Sequence, residues 1–259
     1  MPGALIEALD VSKSFGEIRA LDSVSLTCNA GEMVGLLGPN GSGKTTLMRI
    51  IMGLELRDSG KVSIDGIDPG VNPIAARKLI GYVPETVSLY ESLTPKEYFQ
   101  FVSAVRGIDR EKYVKKVETL SSAFGLRDRL DDFTGTLSRG NRQKVAIIGA
   151  ILHDPKTILL DEAITGLDPS SAAIFRELLR EFLERGSTVV FSTHILEVAE
   201  AICNRAIILA KGKKVAEGNV AALRSLVAAA ASLQEVFMKV TGEEEELDKV
   251  ISALRGAER

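Results

Sequence analysis

The chain has 259 residues, a formal net charge of −3, and 45% hydrophobic and 26% charged residues. That is enough apolar material for a folded core, and the mildly acidic balance argues against nucleic acid as a partner. No apolar run approaches the roughly 18–20 residues needed to span a bilayer, the N-terminus has no basic-then-apolar signal pattern, and the two cysteines, Cys28 and Cys203, have no metal-like spacing, so a cytoplasmic protein is expected, and any membrane role would have to come through a partner.

The first forty residues alternate short β-like runs with turns. Residues 24–28 alternate as a strand does, residues 29–32 read as a turn, and residues 33–37 form a short apolar strand. Gly38-Pro39-Asn40-Gly41-Ser42-Gly43-Lys44-Thr45 follows, matching G-x-x-x-x-G-K-[ST] at every fixed position. Thr46 carries the loop into a helix expected over 45–52. Glycines let backbone N–H groups close around phosphate oxygens. Lys44 reaches the β- and γ-phosphates, and Thr45 offers a hydroxyl to Mg2+.

Further strands are predicted at 61–65, ended by Gly66, and at 80–83, stopped by Pro84. The pattern then turns helical at 94–105, 111–124 and 138–152, with Thr94-Pro95-Lys96-Glu97 resembling a helix start. The third helix opens with Leu137-Ser138-Arg139-Gly140-Asn141. A helix start offers unpaired N–H groups and positive dipole, hence a second anion site in a chain that already has one. Taken alone, the stretch is equally an ordinary capped helix.

Strands return at 157–160, 188–191 and 206–209, with helices at 170–184 and 195–201 between them. Asp161 and Glu162 place two carboxylates at the C-terminal end of a buried strand, where open α/β sheets bind their ligands. Asp161 can hold Mg2+ through water, and Glu162 can orient or deprotonate an attacking water; without the phosphate loop they would read as solvated acids ending a strand. No Asn-Lys-x-Asp pattern appears, which favours ATP over GTP. Of the two histidines, His194 follows the strand at 188–191, and His153 sits at a helix-to-strand turn and reads as structural. The alternation of strands and helices predicts a mostly parallel sheet, with the helix-rich block 87–152 inserted into it. Beyond Asn219 the pattern is helical and alanine-rich, with an acidic run at 243–246.

The phosphate loop, Leu137-Ser138-Arg139-Gly140-Asn141, Asp161-Glu162, Gly166-Leu167-Asp168 and Ser192-Thr193-His194 together resemble the ATP-binding subunits of ABC transporters, in order and spacing, over nearly the whole chain. The resemblance implies an α/β fold: a P-loop nucleoside triphosphatase core with an antiparallel β subdomain and an inserted α-helical subdomain. It implies an ATP-binding domain over 1–218 and a helical extension over 219–259. In that family two subunits pair head to tail, and Ser138 with the Gly140 N–H would face the γ-phosphate held by the other subunit. His194 matches a histidine that contacts the γ-phosphate, Phe15 an aromatic that stacks on adenine, and Asp168 an acid that contacts the opposite subunit. A MgATP-hydrolysing dimer driving a separate membrane subunit, on the inner face of the cell membrane, is what the resemblance leads one to expect.

The chain departs from the family pattern in places. Glu85 stands where Gln is usual and, as a carboxylate, could ligate Mg2+. Arg139 replaces a common glycine and either adds charge near a phosphate or points to solvent. Asn141 replaces a common Gln, and Ala163 a common Pro. Val83-Pro84-Glu85 with Leu89-Tyr90-Glu91 and Leu93-Thr94, and the tail phrase at 232–241, resemble the ATPases of drug, antibiotic and lipid exporters. Export is thus preferred over import, with a soluble non-transport ABC protein as the alternative from another class. Leu89, Tyr90 and Leu93 are expected to be exposed toward the membrane partner, the other reading being packing under the helical insertion.

Overall fold

A computed structural model describes residues 4–164, 166–194, 196–225, 237, 238 and 241. Most of the expected extension lies outside the described residues, including the acidic run at 243–246 and the tail phrase apart from residues 237, 238 and 241.

The strands form two sheets. Strands β1 (Ala4–Phe15), β2 (Ile18–Asn29) and β4 (Ser59–Ile64) make an antiparallel sheet in the order β2-β1-β4. The second sheet contains β3 (Met33–Leu37), β5 (Ile80–Val83), β6 (Thr157–Asp161), β7 (Thr188–Thr193), β8 (Arg205–Ala210) and β9 (Lys213–Asn219), in the order β5-β6-β7-β3-β8-β9. All its pairings are parallel except β8 with β9. Every residue of β3, β6 and β7 is buried, because a parallel sheet is covered on both faces.

Alternate strand residues feed two apolar clusters, one on each face of this sheet. Val34, Leu36, Leu159, Val190 and Ile207 join the cluster that contains Leu47, Met48 and Ile51 of α1 (Lys44–Ile51) and the apolar residues of the antiparallel sheet. Met33, Leu37, Ile158, Leu160, Val189 and Ile208 join the other cluster. There they meet Phe99 of α3 (Pro95–Arg106), Leu120 of α4 (Arg110–Ala123), Ile147 of α5 (Arg139–Ile151) and Phe175 of α6 (Pro169–Glu184). The helices between β5 and β6 therefore pack into a cluster continuous with the central sheet. Thr94 starts α3 with the capping box that its Thr-x-x-Glu spacing predicts.

Arg205 fastens the two sheets. Its guanidinium takes Glu32 in a fork, Nε to Oε1 at 2.6 Å and Nη2 to Oε2 at 3.0 Å, and also reaches Glu217 and the Thr27 carbonyl of β2. Among the described residues, β1, β9, the short helix α2 (Pro73–Lys78) and the 3-10 turns Arg127–Arg129 and Thr134–Thr136 were not individually predicted.

Candidate nucleotide site

Strand β3 delivers the chain into the phosphate loop, and α1 leads away from it. A side chain at Gly38 would come within 2.3 Å of Ser42 Oγ, and one at Gly43, where φ is 104°, within 2.6 Å of the Ala20 carbonyl. The loop is thus folded too tightly for anything but glycine at these two positions. Lys44 is buried, and its ammonium donates to the carbonyls of Gly38 at 2.7 Å and Pro39 at 3.1 Å. Burial pushes its pKa down, against the pull of Glu162, Asp161 and Glu85.

The strand-end carboxylates arrive on β6. Asp161 is buried and accepts the Thr45 hydroxyl at 3.1 Å. Glu162, the next residue, turns the chain with φ 50°, a left-handed conformation uncommon outside glycine. That turn brings its carboxylate inward instead of onto the opposite face. The carboxylate is almost fully buried and accepts three donors: Thr193 Oγ1 at 3.0 Å, the His194 N–H at 2.8 Å and His194 Nδ1 at 2.7 Å. His194 itself is 58% exposed, so its ring shields Glu162 on one side and meets solvent on the other.

A cavity of about 270 Å3 joins these parts. It is lined by Phe15, Ile18, Arg19 and Ala20, by residues 40–46, and by Glu85, Asp161 and Glu162. The structure therefore brings together Phe15, Asn40, Gly41, Ser42, Gly43, Lys44, Thr45, Thr46, Glu85, Asp161 and Glu162, with Gly38 and Pro39 bound to Lys44 and His194 bound to Glu162. Ile18, Arg19 and Ala20 were not foreseen, and no local signal marks them. Thr193 lay inside the quoted Ser192-Thr193-His194 without a role.

Ser138, Arg139, Gly140, Asn141 and Asp168 do not line this cavity. Ser138 caps α5, accepting the Asn141 N–H at 3.3 Å, and Arg139 beside it is exposed. Asp168 caps α6 through the Ser171 N–H at 2.9 Å and pairs with Lys144 of α5 at 2.8 Å. The Lys144 ammonium, followed by the Ser171 groups, holds its carboxyl well below the usual range. Gln143 donates to the Ala163 carbonyl at 2.8 Å. These contacts lock the start of α5 to the loop after Glu162 and leave Ser138 and Arg139 facing outward.

The apolar trio is not uniformly exposed, which corrects the expectation. Leu89 and Leu93 are half-buried, Leu89 against the main cluster. Tyr90 is 65% exposed and meets Phe101 edge-on, ring centroids 6.4 Å apart. The reason is local: the Leu93 N–H and the Thr134 hydroxyl both donate to the Tyr90 carbonyl, folding the loop back so that its leucines turn inward. His153 is structural in its contacts, with Nε2 3.1 Å from the Ile80 carbonyl. Cys28 and Cys203 are free thiols, both pushed up to about 12 by burial. Among the described residues no helix is long and apolar enough to cross a membrane, and no group of three His, Cys, Asp or Glu could hold a metal by itself.

A family model described as "ABC transporter" matches residues 21–165. The ABC transporter ATP-binding protein NatA of Bacillus subtilis (strain 168) is 38% identical over 242 residues, covering 90% of this chain and 97% of that protein. The Nod factor export ATP-binding protein I of Rhizobium sp. (strain N33) is 35% identical, covering 86% and 73%. Among solved structures, an ATP-binding subunit of an ABC transporter superposes with a TM-score of 0.88 at 34% identity, covering 92% of this chain and 99% of that one. An ATP-binding cassette described as a dimer in a post-hydrolysis state bound to ADP and Pi superposes with a TM-score of 0.75 at 31% identity, covering 83% and 98%.

Proposed function

We propose a mechanism and an assembly from one premise: this chain belongs to the ABC transporter family, as an ATP-binding subunit that hydrolyses ATP. The observation that carries the mechanism is a single cavity uniting the phosphate loop with Glu162, whose carboxylate is fixed by three donors. Phe15 stacks on adenine. The N–H groups of the loop and of the first turn of α1 cradle the phosphates. Lys44 exchanges its carbonyl partners for β- and γ-phosphate oxygens.

Mg2+ fits the donor set. Thr45 and Asp161 already converge, Glu85 lines the same space, and these oxygens would hold a hard cation. When bound, the ion neutralises charge on the phosphates. Glu162 accepts the proton of a water as its oxygen attacks the γ-phosphorus, and the bond to the ADP oxygen breaks. His194 and Thr193 hold Glu162 in place and His194 extends toward the γ-phosphate. The departure of Glu85 from the usual Gln leaves an acceptor-only group here, consistent with a metal-side role.

In the assembly, two subunits pair head to tail. Ser138 and the Gly140 N–H of each face the γ-phosphate held by the other, with Arg139, Asn141 and Asp168 beside them. Support comes from where these residues lie: outside their own chain's cavity, with Ser138 and Arg139 on the surface. A similar cassette described as a dimer with ADP and Pi supports the pairing of two subunits. A separate membrane subunit completes the transporter and places this chain on the inner face of the membrane. Export is favoured by a relative named for export. Residues 1–218 form the ATP-binding domain, with 87–152 as its helical subdomain and 219–259 as the extension.

The test is Glu162→Gln. Turnover should fall by about 10²-fold or more, the scale of general-base catalysis, while ATP binding persists and the variant accumulates as a dimer by light scattering. Near-normal turnover refutes the reading.

A further inference from the structure

Lys13 stands behind Phe15. It lies two residues earlier on β1, and its ammonium sits 5.1 Å from the centroid of the Phe15 ring. The Lys13 side chain is only 12% exposed, and two carboxylates hold it: Glu55 Oε1 at 2.8 Å and Asp58 Oδ1 at 3.5 Å. The hydrogen bond that the ammonium donates to Glu55 raises its pKa above the ordinary lysine value, so the cation persists at working pH. Asp58 also accepts the Ser14 N–H at 2.7 Å, and its own N–H donates to the Ser12 carbonyl at 2.9 Å. Glu55 follows α1, the helix that begins in the phosphate loop, and its N–H donates to Arg49 of that helix at 3.3 Å. One path of contacts therefore runs from the phosphate helix through two carboxylates and Lys13 to the aromatic ring.

Phe15 lines the nucleotide cavity and Lys13 does not, so the ammonium meets the ring without meeting the space beside it. A cation on one face of a ring draws π density toward itself. The other face then repels the electron-rich base less, and the ring is held at one tilt. We propose that Lys13, carried by Glu55 and Asp58, is a positioning residue for the base: it polarises and orients Phe15 from behind, so purine recognition depends on a cation that does not touch the nucleotide. This inference rests on the reading that Phe15 stacks on adenine.

The experiment compares the Kd of the full chain for MgATP and for magnesium ribose 5-triphosphate, which lacks the base. The Kd for the base-free triphosphate divided by the Kd for MgATP isolates the contribution of the base, and a partly unfolded sample cancels from it. Lys13→Met should lower the ratio about three- to tenfold, the range expected of a cation–π contact, and Lys13→Arg should restore most of it. In the same variant KM for ATP should rise by a similar factor while kcat at saturating ATP stays within about twofold, the pattern of lost uniform binding. An unchanged ratio in Lys13→Met, with a lowered one in Phe15→Ala, overturns the role of Lys13. Equal weakening of both ligands does the same, because it marks a general structural loss. An unchanged ratio in Phe15→Ala refutes the stacking reading itself, and the proposal with it.

Discussion

His153 is the residue whose protonation the fold resists most plainly. The Ile80 carbonyl can only accept, so Nε2 carries the hydrogen and Nδ1 is a bare acceptor, buried without a partner among the described residues. Burial first, then the Arg106 charge, pushes its pKa down to about 4. The unfolded chain takes up this proton near pH 6.5 and the folded chain only near 4, so the unfolded state binds more protons between these values. Stability is therefore full above about pH 6.5 and is lost as pH falls toward 4, by up to about 3 kcal/mol. Denaturant titrations of the parent and His153→Gln at pH 7.5 and 4.5 should show the parent losing more stability than the variant over that interval; equal losses refute the assignment. Glu162 teaches a different lesson at this scale. Its position at a strand end was legible from the sequence, but its inward turn depends on a left-handed φ that no side-chain pattern announces.

Among the elements, α5 carries the sharpest prediction. Ser138→Ala should keep nucleotide binding in the isolated chain and lose turnover, while the lost cap costs the helix about 1 kcal/mol. Mixing that subunit with Lys44→Ala leaves one intact composite site, so the mixed dimer should retain activity that neither variant has alone. A mixture with no activity, or loss of nucleotide binding by monomeric Ser138→Ala, counts against action across the dimer. Elements whose chemistry is local were readable beforehand: the glycine loop, the Thr94 capping box, and the continuous apolar strands β3, β6 and β7. Those whose signal is non-local were not. Strand β9 is polar and largely exposed, and its hairpin is set by Lys211 and Gly212, both at positive φ. Helix α2 has only six residues. Ile18 to Ala20 reach the cavity because β2 pairs with β1, a fact about the sheet and not about their own stretch.

For the whole molecule, we propose that the surface around Tyr90, with Phe101 beside it, meets a membrane subunit. Both rings are at least half exposed and touch each other edge-on, so replacing Tyr90 opens no core cavity. Tyr90→Ala should leave the ATPase of the isolated chain near normal and uncouple transport in the assembled complex. Normal transport, or an unfolded subunit, would exclude the role. The central sheet adds a consequence of its own. Strand β3 lies between β7 and β8, wholly buried, with an apolar cluster against each face. Its amides open only when both clusters melt, and they should be among the slowest to exchange with heavy water. The phosphate loop hangs from the end of that strand, whereas Ser138 begins its helix at an exposed surface turn. On warming, the chain should therefore keep its grip on nucleotide after the exposed turn at Ser138 has loosened.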